Sequence, residues 1–209
     1  MFSWATSFNQ PIGDWDVSKV INMERMFKDA KAFNQNINNW ETKSLKNMFG
    51  MFSGATSFNQ PIGNWYTSKV EDMMGVFNKA ESFNQPIENW DTSEVEDMSF
   101  MFKDAISFNQ PLNKWNVSKV KTMTEMFLRA KAFNQPLNDW DTSNVSSFLS
   151  MFEWAESFNQ PLDKWNVQKV VFFNRMFKDA TSFDQDLSKW VIKDSFVTDR
   201  FVNAFNLKD

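Results

Sequence analysis

The chain has 209 residues, with 24 Phe, 10 Trp and 13 Met but one Tyr, no His and no Cys, and a formal net charge of −4. Lacking His and Cys, it has no imidazole base, thiol nucleophile, zinc finger or disulfide. The acidic balance without a basic cluster excludes the electrostatic footprint of a nucleic-acid or anionic-lipid binder, and no apolar run approaches the ~18 residues of a membrane span.

In chain order, Met1 to Ala5 lack the basic start and apolar stretch of a signal peptide, so if the protein is exported its targeting segment is not expected in this chain. A repeat then governs everything. Trp recurs at 15, 40, 65, 90, 115, 140, 165 and 190, and Phe at 8, 33, 58, 83, 108, 133, 158 and 183. The spacing is 25 throughout, and Ala keeps it from 5 to 180. A unit this short cannot bury its own apolar face and must stack on its neighbours.

Within a unit, Trp15-x-Val17 alternates with period two and carries β-formers, which predicts a very short strand. The position of Val17 is filled elsewhere by Thr42, Thr67, Thr92, Val117, Thr142, Val167 and Ile192. Next come Asn22, Asn47, Asp72, Asp97, Thr122 and Ser147, residue types that cap helix N-termini. The run Met23-x-x-Met26-Phe27-x-x-Ala30 has the spacing of one helical face and predicts a helix of about two turns. Pro at 11, 61, 86, 111, 136 and 161 marks the returning turn. An Asn column at 9, 34, 59, 84, 109, 134 and 159, with Asp184 after it, is placed to satisfy backbone groups in a tight turn.

Strand, turn and short helix repeated in this way predict a right-handed α/β solenoid, a leucine-rich-repeat-like coil of about eight repeats spanning 1–209 as one domain. An all-β solenoid with two or three strands per coil is the alternative. Regular units run to about residue 190, and 191–209 read as a degenerate last repeat or a C-terminal cap in which Phe196, Val197, Phe201, Val202 and Phe205 cover the core end. A start inside a repeat and a degenerate end suggest part of something longer.

The pattern F-N-Q-x-(I/L)-x-x-W-x-(V/T)-S-x-V-x-x-M-x-x-M-F-x-x-A resembles the 25-residue repeat of BspA-like bacterial surface proteins, found in mycoplasmas, lactic-acid bacteria and Listeria. The resemblance spans Met1 to about Trp190 and implies a leucine-rich-repeat relative, surface-exposed, often a lipoprotein, that mediates interactions. It carries no catalytic residue.

The repeated Trp, Phe and Met columns are expected to be core. Binding information is expected where the columns vary. Beside the inward Val or Thr lie Asp16, Glu41, Tyr66, Asp91, Asn116, Asp141, Asn166 and Val191. Across the Trp lie Asp14, Asn39, Asn64, Asn89, Lys114, Asp139, Lys164 and Lys189, and a Ser column at 18, 68, 93, 118 and 143 shares this face. Tyr66 interrupts an acidic row, and Trp154 breaks the column Asp29, Gly54, Lys79, Asp104, Arg129, Asp179; both are candidate partner contacts.

Asp16 and Glu41, one coil apart, approach the spacing of a retaining glycosidase pair, but the same spacing recurs along the row and implies no enclosing pocket. The reading is therefore noncatalytic, without cofactor or metal: a cell-surface scaffold for protein interaction or adhesion, with a protein or glycan ligand. A structural spacer or end-to-end self-associating array competes with it, and a glycan- or ice-binding solenoid ranks third.

Overall fold

A computed structural model of the chain describes residues 1–192. Each 25-residue unit makes one lap, and successive laps lie in register, joined by parallel bridges from Asn22–Asn47 in sequence through to Ser147–Phe172. The strand-and-helix expectation is overturned. Among the described residues there is no α-helix and no strand beyond these single bridges, so neither the leucine-rich-repeat-like α/β coil nor the all-β alternative describes the fold.

The reason lies in where the amides go. The N–H groups of Met23, Arg25, Phe27 and Asp29 donate to the carbonyls of Asn47, Phe49, Met51 and Ser53 in the next coil, at 2.7–2.9 Å. The intervening N–H groups of Met26, Lys28 and Ala30 turn back to the carbonyls of Met23, Arg25 and Phe27, at 3.0–3.1 Å. Arg25 and Asp29 sit at φ of 50° and 56°, left-handed values that terminate a helix. A two-turn helix would leave about four amides and four carbonyls unpaired at its ends. Linked turns pair the same groups by sharing them with the neighbouring coil. Met23, Met26, Phe27 and Ala30 still point inward, because each turn returns the chain to the core every three or four residues.

The expected helix caps form without a helix. Asn22 Oδ1 accepts the amide of Glu24 at 2.7 Å, and Asn47, Asp72 and Asp97 do the same two residues on. Such a bond closes a turn of the Asx type.

At the Trp–Thr corner, side chains substitute for a strand ladder. The Thr42 hydroxyl accepts the amide of Tyr66 at 2.8 Å and donates to its carbonyl at 3.1 Å. Trp40 Nε1 donates to the Ile12 carbonyl, and every later Trp of the column repeats this bond to Trp190, at 2.8–3.1 Å. The Asn column also links coils. Asn9 Oδ1 accepts the amide of Asn34 at 2.9 Å and Gln35 Nε2 at 3.0 Å, and the pattern runs on to Asn159 with Asp184 and Gln185.

The core is a set of aromatic columns. Phe27 and Phe33 stack within a coil at 4.0 Å, and Phe27–Phe52 and Phe33–Phe58 stack between coils at 5.6 and 5.8 Å with nearly parallel planes. That separation exceeds the ~4.8 Å between β-bonded chains because the rings slide into the offset arrangement their quadrupoles favour. The Trp column is buried from Trp40 to Trp190, whereas Trp15 at the first coil is 41% exposed. The expected cap residues Phe196, Val197, Phe201, Val202 and Phe205 lie outside the described residues.

The Asn column makes a direct test. Asn84 Oδ1 serves both the Asn109 amide and Gln110 Nε2, at 2.9 Å each. Asn84→Ala is expected to lower stability by about 1–3 kcal/mol in urea denaturation, since two donors lose their acceptor. Asn9→Ala, at the exposed first coil, is expected to cost less; equal and negligible costs would show that the column does not hold the coils together.

Candidate functional site

The structure places Asp16, Glu41, Tyr66, Asp91, Asn116, Asp141 and Asn166 in one exposed row. The acids and amides of this row have local work. Asp16, Asp91, Asn116, Asp141 and Asn166 each accept, through Oδ1, the amide two residues on, at 3.0–3.1 Å. The Ser18, Ser93 and Ser143 hydroxyls, and then the amides of those serines, hold the Asp16, Asp91 and Asp141 carboxyls below the usual range. The Ser column thus belongs to these turns.

Glu41 and Tyr66 depart from this pattern. Glu41 pairs with Lys43 at 3.1 Å, a contact that raises the lysine's pKa, and the Lys43 amine lies 4.9 Å over the Tyr66 ring. Tyr66 is 53% exposed, so one face of an amphipathic ring remains open beside a cation. In the neighbouring column the C-terminal charges form ion pairs between coils: Lys164 with Asp139 at 2.7 Å, Lys114 with Glu88 at 3.4 Å and Lys189 with Asp163 at 2.6 Å. Such exposed pairs add little stability.

Trp154 stands elsewhere. It is 40% exposed at φ 60°, in the column of Asp29 and Asp104, about half a lap from the Tyr66 row. The structure therefore does not bring Trp154 together with the other candidates. Its column belongs to the face made by the left-handed turns, which strand-and-helix reasoning missed.

On that face the residues change freely from coil to coil. The position of Arg25 becomes Gly50, Gly75, Phe100, Glu125, Ser150 and Arg175, and the position of Glu24 becomes Phe49, Met74, Ser99, Thr124, Leu149 and Asn174. This variation was visible in the sequence. What hid it was the assignment of the segment to a helix.

A cavity of about 430 Å³ opens at the first coil beside Trp15, Val17, Val20 and Met26, and a shallower one of about 230 Å³ lies on the turn face. Among the described residues no three acidic side chains converge as a metal site.

These features define a repeat protein whose stacked 25-residue coils carry fixed inward columns and variable outward ones. The chain belongs to the family described as Mycoplasma protein of unknown function, DUF285, whose model matches residues 1–74, 59–148 and 114–208. No curated protein matches it.

Electrostatics along the bridge column gives a test. Partial burial raises the pKa of Asp72, and the nearby charges of Asp97 and Glu24 add to the shift against the opposing Met74 amide. A raised folded value means that folding disfavours the carboxylate. The penalty is absent below the unfolded value of 3.8 and fully present above the folded one. Asp72→Asn keeps the acceptor that Asn22 and Asn47 use, so it is expected to raise the melting temperature at neutral pH, with the gain vanishing below 3.8. Asp91, shifted the other way, stabilises above its unfolded value and loses that contribution as pH falls through its lower folded one. Thermal melts of parent and Asp72→Asn across pH 3 to 8 check the sign; a loss of stability at neutral pH would refute it.

Proposed function

We propose that this chain is a noncatalytic scaffold for protein interaction or adhesion, displayed at the cell surface with a protein or glycan ligand. One observation carries the reading: residues on the turn face vary from coil to coil while the inward Trp column and the Asn column, with their hydrogen bonds, recur. Variation confined to positions that packing does not dictate is how a repeat array diversifies a binding surface. The surface location rests on the resemblance to BspA-like proteins, whose repeat shares the Trp, Phe and Met spacing.

Tyr66 is the preferred contact in the exposed row. Its neighbours are committed to turn bonds or ion pairs, and its ring is an open, partly apolar surface. Trp154 offers a second aromatic on the other face.

An array of purified host-surface proteins and glycans tests the proposal. The parent chain is expected to bind at least one ligand, and Tyr66→Ala to weaken that binding about tenfold, a change of ~1.4 kcal/mol. Binding by Tyr66→Ala equal to the parent's removes Tyr66 from the site, and loss in Trp154→Ala alone moves the site to the turn face. No ligand, together with concentration-dependent sedimentation, would replace the proposal with a self-associating array; no ligand from a monodisperse monomer would leave a spacer.

A further inference from the structure

The shallow depression on the turn face exists because two successive coils carry glycine in a column where the others carry side chains. Gly50 and Gly75 stand at φ 55° and 62°, but Arg25, Phe100, Glu125, Ser150 and Arg175 occupy the same column at 50–62°. The backbone therefore does not require glycine here. Packing does not require it either. A Cβ on Gly75 would meet Asn78 Cβ at 3.8 Å and Phe100 Cβ at 4.0 Å, and one on Gly50 would meet Arg25 Cγ at 3.5 Å, all ordinary contacts. What the paired glycines uniquely provide is space.

That space is about 230 Å³, below the ~300 Å³ at which pockets begin to hold whole small molecules. It suits a single side chain. Its apolar surface comes from Phe49, Met74 and Phe100, and Met is the residue most able to adapt to an incoming group.

The rim is cationic. The Arg25 guanidinium lies 4.6 Å over the Phe49 ring, with only a loose 3.6 Å approach to Glu24. Lys28 also lines the depression, its amine 5.3 Å over the Trp4 ring, and it has no ion-pair partner among the described residues. Asn78 also lines the depression.

We propose that this depression is a docking site for an extended segment of a partner protein that carries a bulky apolar side chain flanked by carboxylates. The apolar side chain fills the gap over Gly75 between Met74 and Phe100. A carboxylate meets Arg25 and Lys28. The site rests on the protein-binding reading above and supplies its partner chemistry: acidic and aromatic or aliphatic.

Fluorescence polarisation with three short labelled peptides tests it. One is acidic with a central phenylalanine, one has glycine in place of that phenylalanine, and one has lysines in place of the acids. The full chain is expected to bind the first and to lose about tenfold or more with each of the others, and the binding is expected to weaken as salt rises. Gly75→Phe, which copies the neighbouring coil, and Arg25→Gln are each expected to lose about tenfold while melting like the parent. Should Gly75→Phe fail to fold, Gly75→Ser, which copies Ser150, and Met74→Ala take its place.

Equal affinity for all three peptides, no binding by the parent, or parent-like binding by the folded glycine variants would each overturn the proposal. If the peptides fail while the array still yields a ligand sensitive to Tyr66→Ala, only this site falls; if both fail, the protein-binding reading falls with it.

Discussion

The amides of Arg25, Phe27 and Asp29 reach across to the carbonyls of Phe49, Met51 and Ser53, and the same donation recurs in coil after coil. For these pairs to meet, every lap must have the same length, which is why the Trp spacing of 25 never slips between Trp15 and Trp190. The sharing also sets the local backbone. If alternate amides face the neighbouring coil, they are lost to an i→i−4 ladder, and the remaining ones close turns on carbonyls three residues back. Side-chain bonds from Asn, Thr and Trp then hold the coils together where the backbone does not. The aromatic columns follow from the register, since identical side chains are placed one above another.

The repeat, the buried Trp and Phe columns and the Asn column were legible in the residues. Each is a matter of identity at a fixed spacing, and stacking converts spacing directly into contact. The helix was the misreading. Met23, Met26, Phe27 and Ala30 obey the i, i+3, i+4, i+7 pattern, yet chained turns return a side chain to the core at those same intervals. Periodicity alone cannot separate the two. The left-handed residues would have separated them, but Arg25, Phe100 and Trp154 give no hint of positive φ from their chemistry. Gly50, Gly54 and Gly75 do, confined to two coils, and Asp29, Asp104 and Asp179 do so more weakly. The caps misled for a related reason: an Asn or Asp that accepts an amide two residues on closes a turn as readily as it starts a helix.

The same confusion shaped the view of the surface. A leucine-rich geometry directs attention to the residues beside the inward Val or Thr, and those residues are indeed exposed. Most are nonetheless engaged, as with Asp91 on the Ser93 amide and Asp141 on the Ser143 amide. Their recurrence reflects turn chemistry. Tyr66 is informative because it cannot make that bond. The turn face, where Arg, Gly, Phe, Glu and Ser replace one another in a single column, carries more variation and less structural duty.

That freedom has a physical basis. A side chain at positive φ costs roughly 1–2 kcal/mol in an isolated L-residue, so a variable surface built there looks unfavourable. Here the conformation is not chosen by the residue. The bonds from Arg25 to Phe49 and from Glu125 to Leu149 impose it from the adjoining coil, and the stacked Phe and Trp columns beneath supply the stability that absorbs the strain. A backbone over-determined by its neighbours tolerates arginine, phenylalanine, glutamate or nothing at all in the same place. The frame that denies these residues a say in the fold is what leaves them available for recognition.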